Sequence, residues 1–146
     1  MFDRTQWFLA GMSIALSLQL SQPVAAATPV GKVIQTAQTN SSNAAETALL
    51  EGFELYEQGT AQAKRGAIVK FEEALKLFRA VGANEGQALS LVGLGIVYSD
   101  LGEKQKALEY YSQSLPLFRA LGDRSSEALA LGSIGNVYSD LGEKQK

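Results

Sequence analysis

Adjacent carboxylates are the side chains in this sequence that most resemble a catalytic acid–base pair. Glu72 and Glu73 are adjacent, but adjacent residues on a helix point in different directions, so these two cannot work as an acid–base pair. The chain contains no histidine and no cysteine, which removes a histidine base, a thiol nucleophile and zinc ligands of the Cys/His type. The glycines fall within and at the ends of predicted helices, so no phosphate-binding glycine loop is predicted. We therefore expect a protein that is not an enzyme, with no cofactor and no metal.

The composition is that of an ordinary globular chain. The 146 residues are 46% hydrophobic and 19% charged, which suits one modest domain. The formal net charge is −2, so the chain lacks the basic excess with which proteins attract nucleic acid. We expect no nucleic-acid partner.

The first 27 residues have the pattern of a secretory signal peptide. A polar start with Arg4 leads into the apolar segment FLAGMSIALSLQL (8–20), and Ala25–Ala27 supply the small residues of a cleavage site. A buried helix and a membrane anchor are the alternatives, although the apolar segment is short for a bilayer span. The pattern predicts export to the periplasm or the exterior, with no stable membrane span after cleavage. Residues 28–42 are small and polar, which predicts a flexible linker.

A tandem repeat organises the remaining domain, residues 43–146. The segment VYSDLGEKQK occurs at 97–106 and recurs unchanged at 137–146, an offset of forty residues. The same offset carries LFRAVG at 77–82 onto LFRALG at 117–122. Because several segments share one period, this is a repeat and not a chance duplicate. The units are approximately 43–82, 83–122 and 123–146, and we expect the last one to continue beyond Lys146.

Each unit is predicted to fold as two helices. In the second unit, apolar residues at three- and four-residue spacing predict a first helix that ends at Gly102. Its second helix is predicted over approximately 103–121, and the second helix of the preceding unit over 64–81. Two pairs have the spacing of a capping box at the start of a first helix, namely Asn43 with Glu46 and Asn84 with Gln87.

Glycines recur inside the predicted first helices, where each costs about 1 kcal/mol relative to alanine. Gly95 and Gly135 occupy the same place in successive units, so the cost should bring a packing advantage. We expect these glycines to let the backbone of the neighbouring helix approach closely, with Ala107 as the matching small residue. Tyr98 and Tyr111 would fill the space on either side, as core residues and not as a ligand stack.

The same residues resemble the tetratricopeptide repeat, an antiparallel pair of helices with small and large residues alternating at defined positions. The resemblance rests on Leu94, Gly95, Tyr98, Ala107, Tyr111 and Ser114. It implies an all-α fold: a right-handed α-α solenoid of antiparallel helix pairs, with about two and a half repeats. The forty-residue unit departs from the usual length of 34 residues. This longer version resembles repeats in scaffold proteins that grip peptides, and also repeats that precede caspase-like (CHAT) protease domains in bacterial proteins.

The resemblance implies a concave groove lined by the first helices of successive units. In peptide-gripping relatives an asparagine directly after the glycine bonds the peptide backbone. Asn136 matches that position, whereas Ile96 does not. A solvated surface residue is the alternative for Asn136, and also for the carboxylates near the helix ends. The candidate peptide-binding residues are Tyr56, Ile96, Ser99, Asp100, Asn136, Ser139 and Asp140.

The resemblance favours a non-catalytic scaffold that binds a peptide or helix of a protein partner. The alternative is a sensor or docking arm of a larger enzyme of the caspase-like kind, and a spacer is the third hypothesis. Repeat arrays are stabilised by contacts between neighbouring units, so the last helix should leave apolar residues partly uncovered. We therefore expect marginal stability or self-association through that helix. The residues expected to be uncovered are Leu131, Ile134, Tyr138 and Leu141.

Overall fold

A computed structural model describes the backbone of residues 29–143 and the side chains of residues 33–142. Within that part of the chain there are five helices and no strand, so the predicted all-α fold is confirmed. The predicted signal peptide, residues 1–27, lies outside the described residues. The helices are α1 (Pro29–Glu57), α2 (Ala61–Val81), α3 (Asn84–Asp100), α4 (Lys104–Leu121) and α5 (Arg124–Glu143).

The chain divides into two compact units, residues 1–38 and 39–146. The packing described below belongs to the second unit. In that unit α1 and α2, then α3 and α4, form successive helix pairs, and α5 is the first helix of a third pair.

Helix α1 begins at Pro29, in the stretch where the sequence predicted a linker over 28–42. Proline is favoured at the first position of a helix, and no glycine or proline interrupts residues 32–51. The small polar residues of this stretch are therefore carried inside one continuous helix. The predicted capping box of Asn43 and Glu46 is wrong for the same reason, because Asn43 lies within α1 and its carbonyl accepts a bond from Thr47 Oγ1 at 2.9 Å.

Glycines in the left-handed conformation follow the first four helices. Gly59, Gly82, Gly102 and Gly122 have φ angles of 72°, 70°, 80° and 71°, a region in which glycine avoids the steric cost of a Cβ atom. The recurrence of the last three turns every twenty residues gives helices of similar length. Helices α2 and α4 end at Val81 and Leu121, as predicted.

The helix starts are capped in different ways. Thr60 Oγ1 accepts a hydrogen bond from the Ala63 backbone N–H at 3.1 Å, and Asp123 Oδ1 accepts one from the Ser126 N–H at 3.0 Å. Helix α3 has Ala83 at its N-cap with no side-chain hydrogen bond. The predicted capping box of Asn84 is therefore wrong: Asn84 is already the first helical residue, which places its side chain one position too late.

The buried core repeats with the same forty-residue period. Phe71 is packed in one cluster with Ala67 and Val97, and Tyr111 is packed in another with Ala107 and Val137. Each residue of the second cluster is forty positions after its counterpart in the first. The repeat in sequence is therefore a repeat of packing contacts.

Aromatic rings pack directly against the glycines of the first helices. A Cβ atom on Gly95 would lie 2.7 Å from Tyr111 Cδ1, and one on Gly93 would lie 2.8 Å from Phe71 Cε1. Phe71 also packs against Gly52 of α1, where a Cβ atom would lie 2.7 Å from Phe71 Cδ1. Gly95 is closely packed, but the nearest atoms belong to the Tyr111 ring and not, as predicted, to the backbone of the neighbouring helix. At Gly135 no described atom approaches within 4 Å of an added Cβ, so the predicted close approach is wrong there for the described residues.

Helix α5 has one face that the described residues do not cover. Leu131 is 46% exposed and Tyr138 is 61% exposed, while Ile134 and Leu141 are half-buried. No described atom lies within 4 Å of a Cβ built on Gly135. The prediction that these apolar residues are partly uncovered is confirmed.

Candidate functional site

An apolar cavity lies between α3 and α5, the first helices of the second and third units. Its volume is about 260 Å³. Leu89 and Leu129 stand on opposite walls, and both are exposed, at 37% and 73%. The lining residues come from these two helices and from Phe118 of α4: Leu89, Val92, Ile96, Phe118, Ser126, Leu129, Ala130 and Ser133. The cavity is therefore a groove site of the kind that the sequence analysis expected between first helices.

Ile96 is the predicted site residue that lines this cavity. Asn136 and Ser139 are exposed on α5 and do not belong to the lining. Leu89 and Leu129 were missed by the sequence analysis, although a signal was present. They are the same apolar residue at positions forty residues apart, in the first helices of successive units.

Two of the predicted site residues, Tyr56 and Asp100, form a hydrogen bond with each other that joins successive repeats. The Tyr56 hydroxyl donates a hydrogen bond to Asp100 Oδ2 at 2.8 Å, and Lys64 Nζ lies 3.2 Å from the same oxygen. Burial, followed by the hydrogen bond to Asp100, raises the pKa of Tyr56. The Asp100 carboxylate is thus ion-paired with a lysine of the preceding unit. A peptide-binding role for these two residues stays a prediction.

Asp140 repeats this arrangement one unit later. Lys104 Nζ lies 2.6 Å from Asp140 Oδ2 and donates a hydrogen bond to Ser99 Oγ at 3.2 Å. Both lysines lie in the first turn of a second helix, and both aspartates lie near the end of the next first helix. Each ion pair therefore joins antiparallel helices of successive units. The carboxylates of Asp100 and Asp140 therefore each form an ion pair between successive repeats.

A larger cavity of about 450 Å³ lies on the opposite side, between α2 and α4. Leu75 and Leu94 contribute its apolar lining. Its charged and polar lining is mixed in sign and consists of Glu72, Lys76, Arg79, Glu109, Tyr110 and Gln113. Glu72 belongs to this surface, whereas Glu73 lies 3.4 Å from Lys70, so the two carboxylates face different surroundings as predicted.

The described residues contain no cluster of three or more acidic, histidine or cysteine side chains able to hold a metal ion. None of the described helices is both long enough and apolar enough to cross a membrane.

Comparison with known proteins supports the repeat architecture. No curated protein sequence matches the chain. Residues 66–120 match the family model of the tetratricopeptide repeat, a segment that runs from within α2 through α3 and almost to the end of α4. The resemblance to repeats that precede caspase-like domains stays a prediction. Helix pairs, glycine–aromatic packing and the family match fall in the same segment, so residues 66–120 have the sequence and the helical architecture of tetratricopeptide repeats.

Proposed function

We propose that this chain is a non-catalytic interaction module that takes an apolar side chain of a polypeptide partner into the cavity between α3 and α5. Tetratricopeptide repeats generally mediate protein–protein interaction and are typically non-catalytic. The observation that carries the proposal is the pair of leucines, Leu89 and Leu129, which remain exposed on facing walls of an apolar cavity. Exposed apolar surface grouped in a concavity is typical of a binding site.

The size of the cavity favours one anchoring side chain and not a whole ligand. Cavities for drug-sized molecules have volumes of roughly 300–1,000 Å³, and this one has about 260 Å³. A leucine, methionine or phenylalanine of an extended segment fits that space. Asn136 and Ser139, exposed on α5, are the proposed polar contacts for the partner backbone. Since such an interface is small, we expect affinity of the order of micromolar.

The experiment is selection of binding peptides from a random displayed library on the purified chain. The affinities of the selected peptides are then measured by fluorescence anisotropy. We expect an apolar anchor residue in the selected peptides, and a loss of affinity of at least about tenfold in Leu129→Asp and Ile96→Asp, because a charge would be desolvated in the cavity.

The matched control is Val69→Asp. Val69 is 61% exposed on α2 and lies outside the cavity, so the same charge is added at an exposed apolar position without touching the groove. Equal losses of affinity in Leu129→Asp and Val69→Asp would contradict the proposal, as would selected peptides that bind without an apolar residue.

We also propose that the protein is exported. The support is the pattern of residues 1–27, with its apolar segment at 8–20 and small residues at 25–27. Fusion of residues 1–40 to a reporter that is active only outside the cytoplasm tests this proposal. Replacing Leu16 and Leu18 by arginine should abolish reporter activity, and unchanged activity would contradict it.

A further inference from the structure

The cavity of about 450 Å³ between α2 and α4 is lined by charged side chains that have no partner within the described residues. Glu72, Lys76 and Arg79 line it from α2, and Glu109 lines it from α4. All four residues are exposed. Among the residues that the structure describes, none of the four forms an ion pair or a side-chain hydrogen bond. Two positive and two negative groups are therefore available to a ligand in this cavity.

Comparison of the two repeats shows that Arg79 has lost an ion pair that the equivalent arginine keeps. Arg119 Nε lies 2.5 Å from Glu127 Oε1. Forty residues earlier, Arg79 has Gln87 in the place of that glutamate, and the Gln87 amide donates a hydrogen bond to Asn84 Oδ1 at 3.4 Å. Because a neutral amide cannot form an ion pair, the charge of Arg79 is left for another anion.

The polar lining of this cavity does not follow the forty-residue repeat, although the buried core does. Glu72 and Lys76 correspond to Ser112 and Pro116 one unit later. On the other wall, Tyr110 of α4 corresponds to a lysine one unit earlier. This set of side chains therefore belongs to one junction between repeats and is not a consequence of how the repeats pack.

The charges run along the cavity from an acidic end to a basic end. Burial is the largest cause that raises the pKa of Tyr110, and the carboxylates of Glu72 and Glu109 contribute to the rise, so both lie near this ring. Lys76 and Arg79 follow on the same face of α2, about 6 Å and about 10 Å from Glu72 along the axis at about 1.5 Å per residue. This arrangement suits a molecule with a positive group at one end and a negative group at the other.

We propose that this cavity binds a short peptide of two or three residues with both ends free. Its ammonium group contacts Glu72 and Glu109, and its carboxylate contacts Lys76 and Arg79. An extended chain spans at most about 3.3–3.6 Å per residue, so two or three residues cover about 7–10 Å, the separation of the opposite charges along α2. In a single amino acid the two charged groups share one carbon atom, which makes it too short to reach both ends.

The other features of the cavity suit a peptide. Its volume of about 450 Å³ falls within the range of roughly 300–1,000 Å³ found for small-molecule sites. The guanidinium of Arg79 can hold a carboxylate with two parallel hydrogen bonds. Gln113 lines the cavity and has an amide that can both donate to and accept from a peptide group. This site is separate from the cavity between α3 and α5, and it does not depend on the function proposed above.

The test compares three probes by NMR titration of the full chain: trialanine, N-acetyl-trialanine and trialanine amide. Each blocked peptide lacks one of the two terminal charges. Because the four charged side chains are exposed, water screens each contact, and we expect a dissociation constant of the order of 0.1–1 mM for trialanine. Blocking either end should weaken binding at least threefold.

Chain variants assign the carboxylate end of the peptide. In the double variant Lys76→Gln, Arg79→Gln, amidation of the peptide should change the affinity less than 1.5-fold, because the carboxylate has already lost its partners. Acetylation should still weaken binding to this variant at least threefold. Glutamine has a helix propensity close to that of lysine and arginine, so the helicity measured by circular dichroism should not change.

Two further variants are controls. Arg65→Gln removes a positive charge from an exposed position of α2 that does not line the cavity, and Leu129→Asp alters the cavity between α3 and α5. Both should change the affinity for trialanine less than 1.5-fold. An effect of Arg65→Gln as large as that of Arg79→Gln would overturn the proposal, since only the net charge of the domain would then matter.

Three other results would overturn the proposal. Trialanine could cause no saturable shifts at millimolar concentration. N-acetyl-trialanine could bind as tightly as trialanine, which would indicate a site for anions only. Amidation could weaken binding equally in the unaltered chain and in the double variant, which would place the carboxylate away from Lys76 and Arg79.

Discussion

At the scale of single residues, an aromatic ring packs on a helical glycine at several places in the domain. Gly95 makes this contact with Tyr111, and Gly52 and Gly93 make it with Phe71. Gly135 occupies the same sequence position as Gly95, one repeat later, but has open space where the ring would lie. Comparison of Gly95 with Gly135 therefore distinguishes two effects of glycine: its packing against a ring, which only Gly95 has, and its low helix propensity, which both share.

We predict opposite effects for the same substitution at these two positions. Gly95→Ala forces a Cβ atom into the Tyr111 ring and should lower the free energy of unfolding by about 1–2 kcal/mol, the overpacking cost reduced by the gain in helix propensity. Gly135→Ala should raise it by up to about 1 kcal/mol, since only the propensity term acts. Urea denaturation followed by circular dichroism measures both. A stabilised Gly95→Ala would contradict the packing role.

The glycine positions could be predicted from sequence, but the choice of ring contacts could not. Gly93 of α3 becomes Ser133 in α5 at the same offset, while Phe71 becomes Tyr111. In the structure the Ser133 hydroxyl donates a hydrogen bond to the Leu129 carbonyl at 3.0 Å. Burial raises the pKa of Tyr111, and the Ser133 side chain lowers it by a smaller amount. A serine therefore stands where the preceding repeat has a glycine packed against a ring. Ser133 and Tyr111 belong to different repeats, and the sequence alone does not give the distance between residues of different repeats.

At the scale of helices, the two lysine–aspartate pairs join successive repeats. Lys64 pairs with Asp100 and Lys104 with Asp140, and each lysine is largely covered, with side-chain exposures of 20% and 15%. We predict a coupling energy of about 0.5–1 kcal/mol for Lys104 and Asp140 in a double-mutant cycle with Lys104→Met and Asp140→Asn. High salt should reduce it, because the Debye length falls to about 3 Å at 1 M.

Lys106 and Glu103 provide the control for this cycle. They lie 2.6 Å apart at i, i+3, with side-chain exposures of 54% and 46%, and they do not join two repeats. Their coupling energy should be smaller, about 0.2–0.5 kcal/mol or less. Equal coupling in the two pairs would show that the Lys104–Asp140 bond adds nothing to the interface between repeats.

The features most predictable from sequence were the ends of helices that are followed by a glycine turn. Glycine fixes the end of a helix through a local conformational preference, which explains why the ends of α2 and α4 were predicted correctly. The start of α1 was not, because small polar residues are compatible with either a linker or a helix. The lysine–aspartate pairs were also missed: Asp100 and Lys64 are 36 residues apart, and only the stacking of repeats brings them together.

At the scale of the whole domain, α5 has exposed apolar residues on two faces. One face combines Leu129 with Ile96 of α3 in the cavity, and the other carries Leu131 and Tyr138. The sequence predicted the exposure of Leu131 and Tyr138 from the position of α5 in its unit. It could not indicate the cavity, because the cavity forms between helices of different repeats and depends on their spacing.

Tyrosines distributed over α1, α3 and α4 should make the domain sensitive to high pH. Burial is the largest cause that raises the pKa of Tyr56, Tyr98, Tyr110 and Tyr111. A raised pKa means that the folded state keeps these protons to a higher pH than the unfolded state, whose tyrosines titrate near pH 10. This contribution to stability is complete below about pH 10 and is lost as the pH rises through the folded-state pKa values.

We therefore predict that the urea midpoint falls between about pH 9.5 and pH 11.5. Tyr111→Phe should reduce the fall, because phenylalanine already fills the equivalent position as Phe71 and has no proton to lose. The remaining fall in that variant should come from the other three tyrosines and from two lysines with raised pKa values. Hydrogen bonding to Glu51 raises the pKa of Lys70, and hydrogen bonding to Glu103 raises that of Lys106. A fall of the same size in Tyr111→Phe and in the unaltered chain would mean that Tyr111 ionises equally in both states, and that its ring is less enclosed than the contact with Gly95 requires.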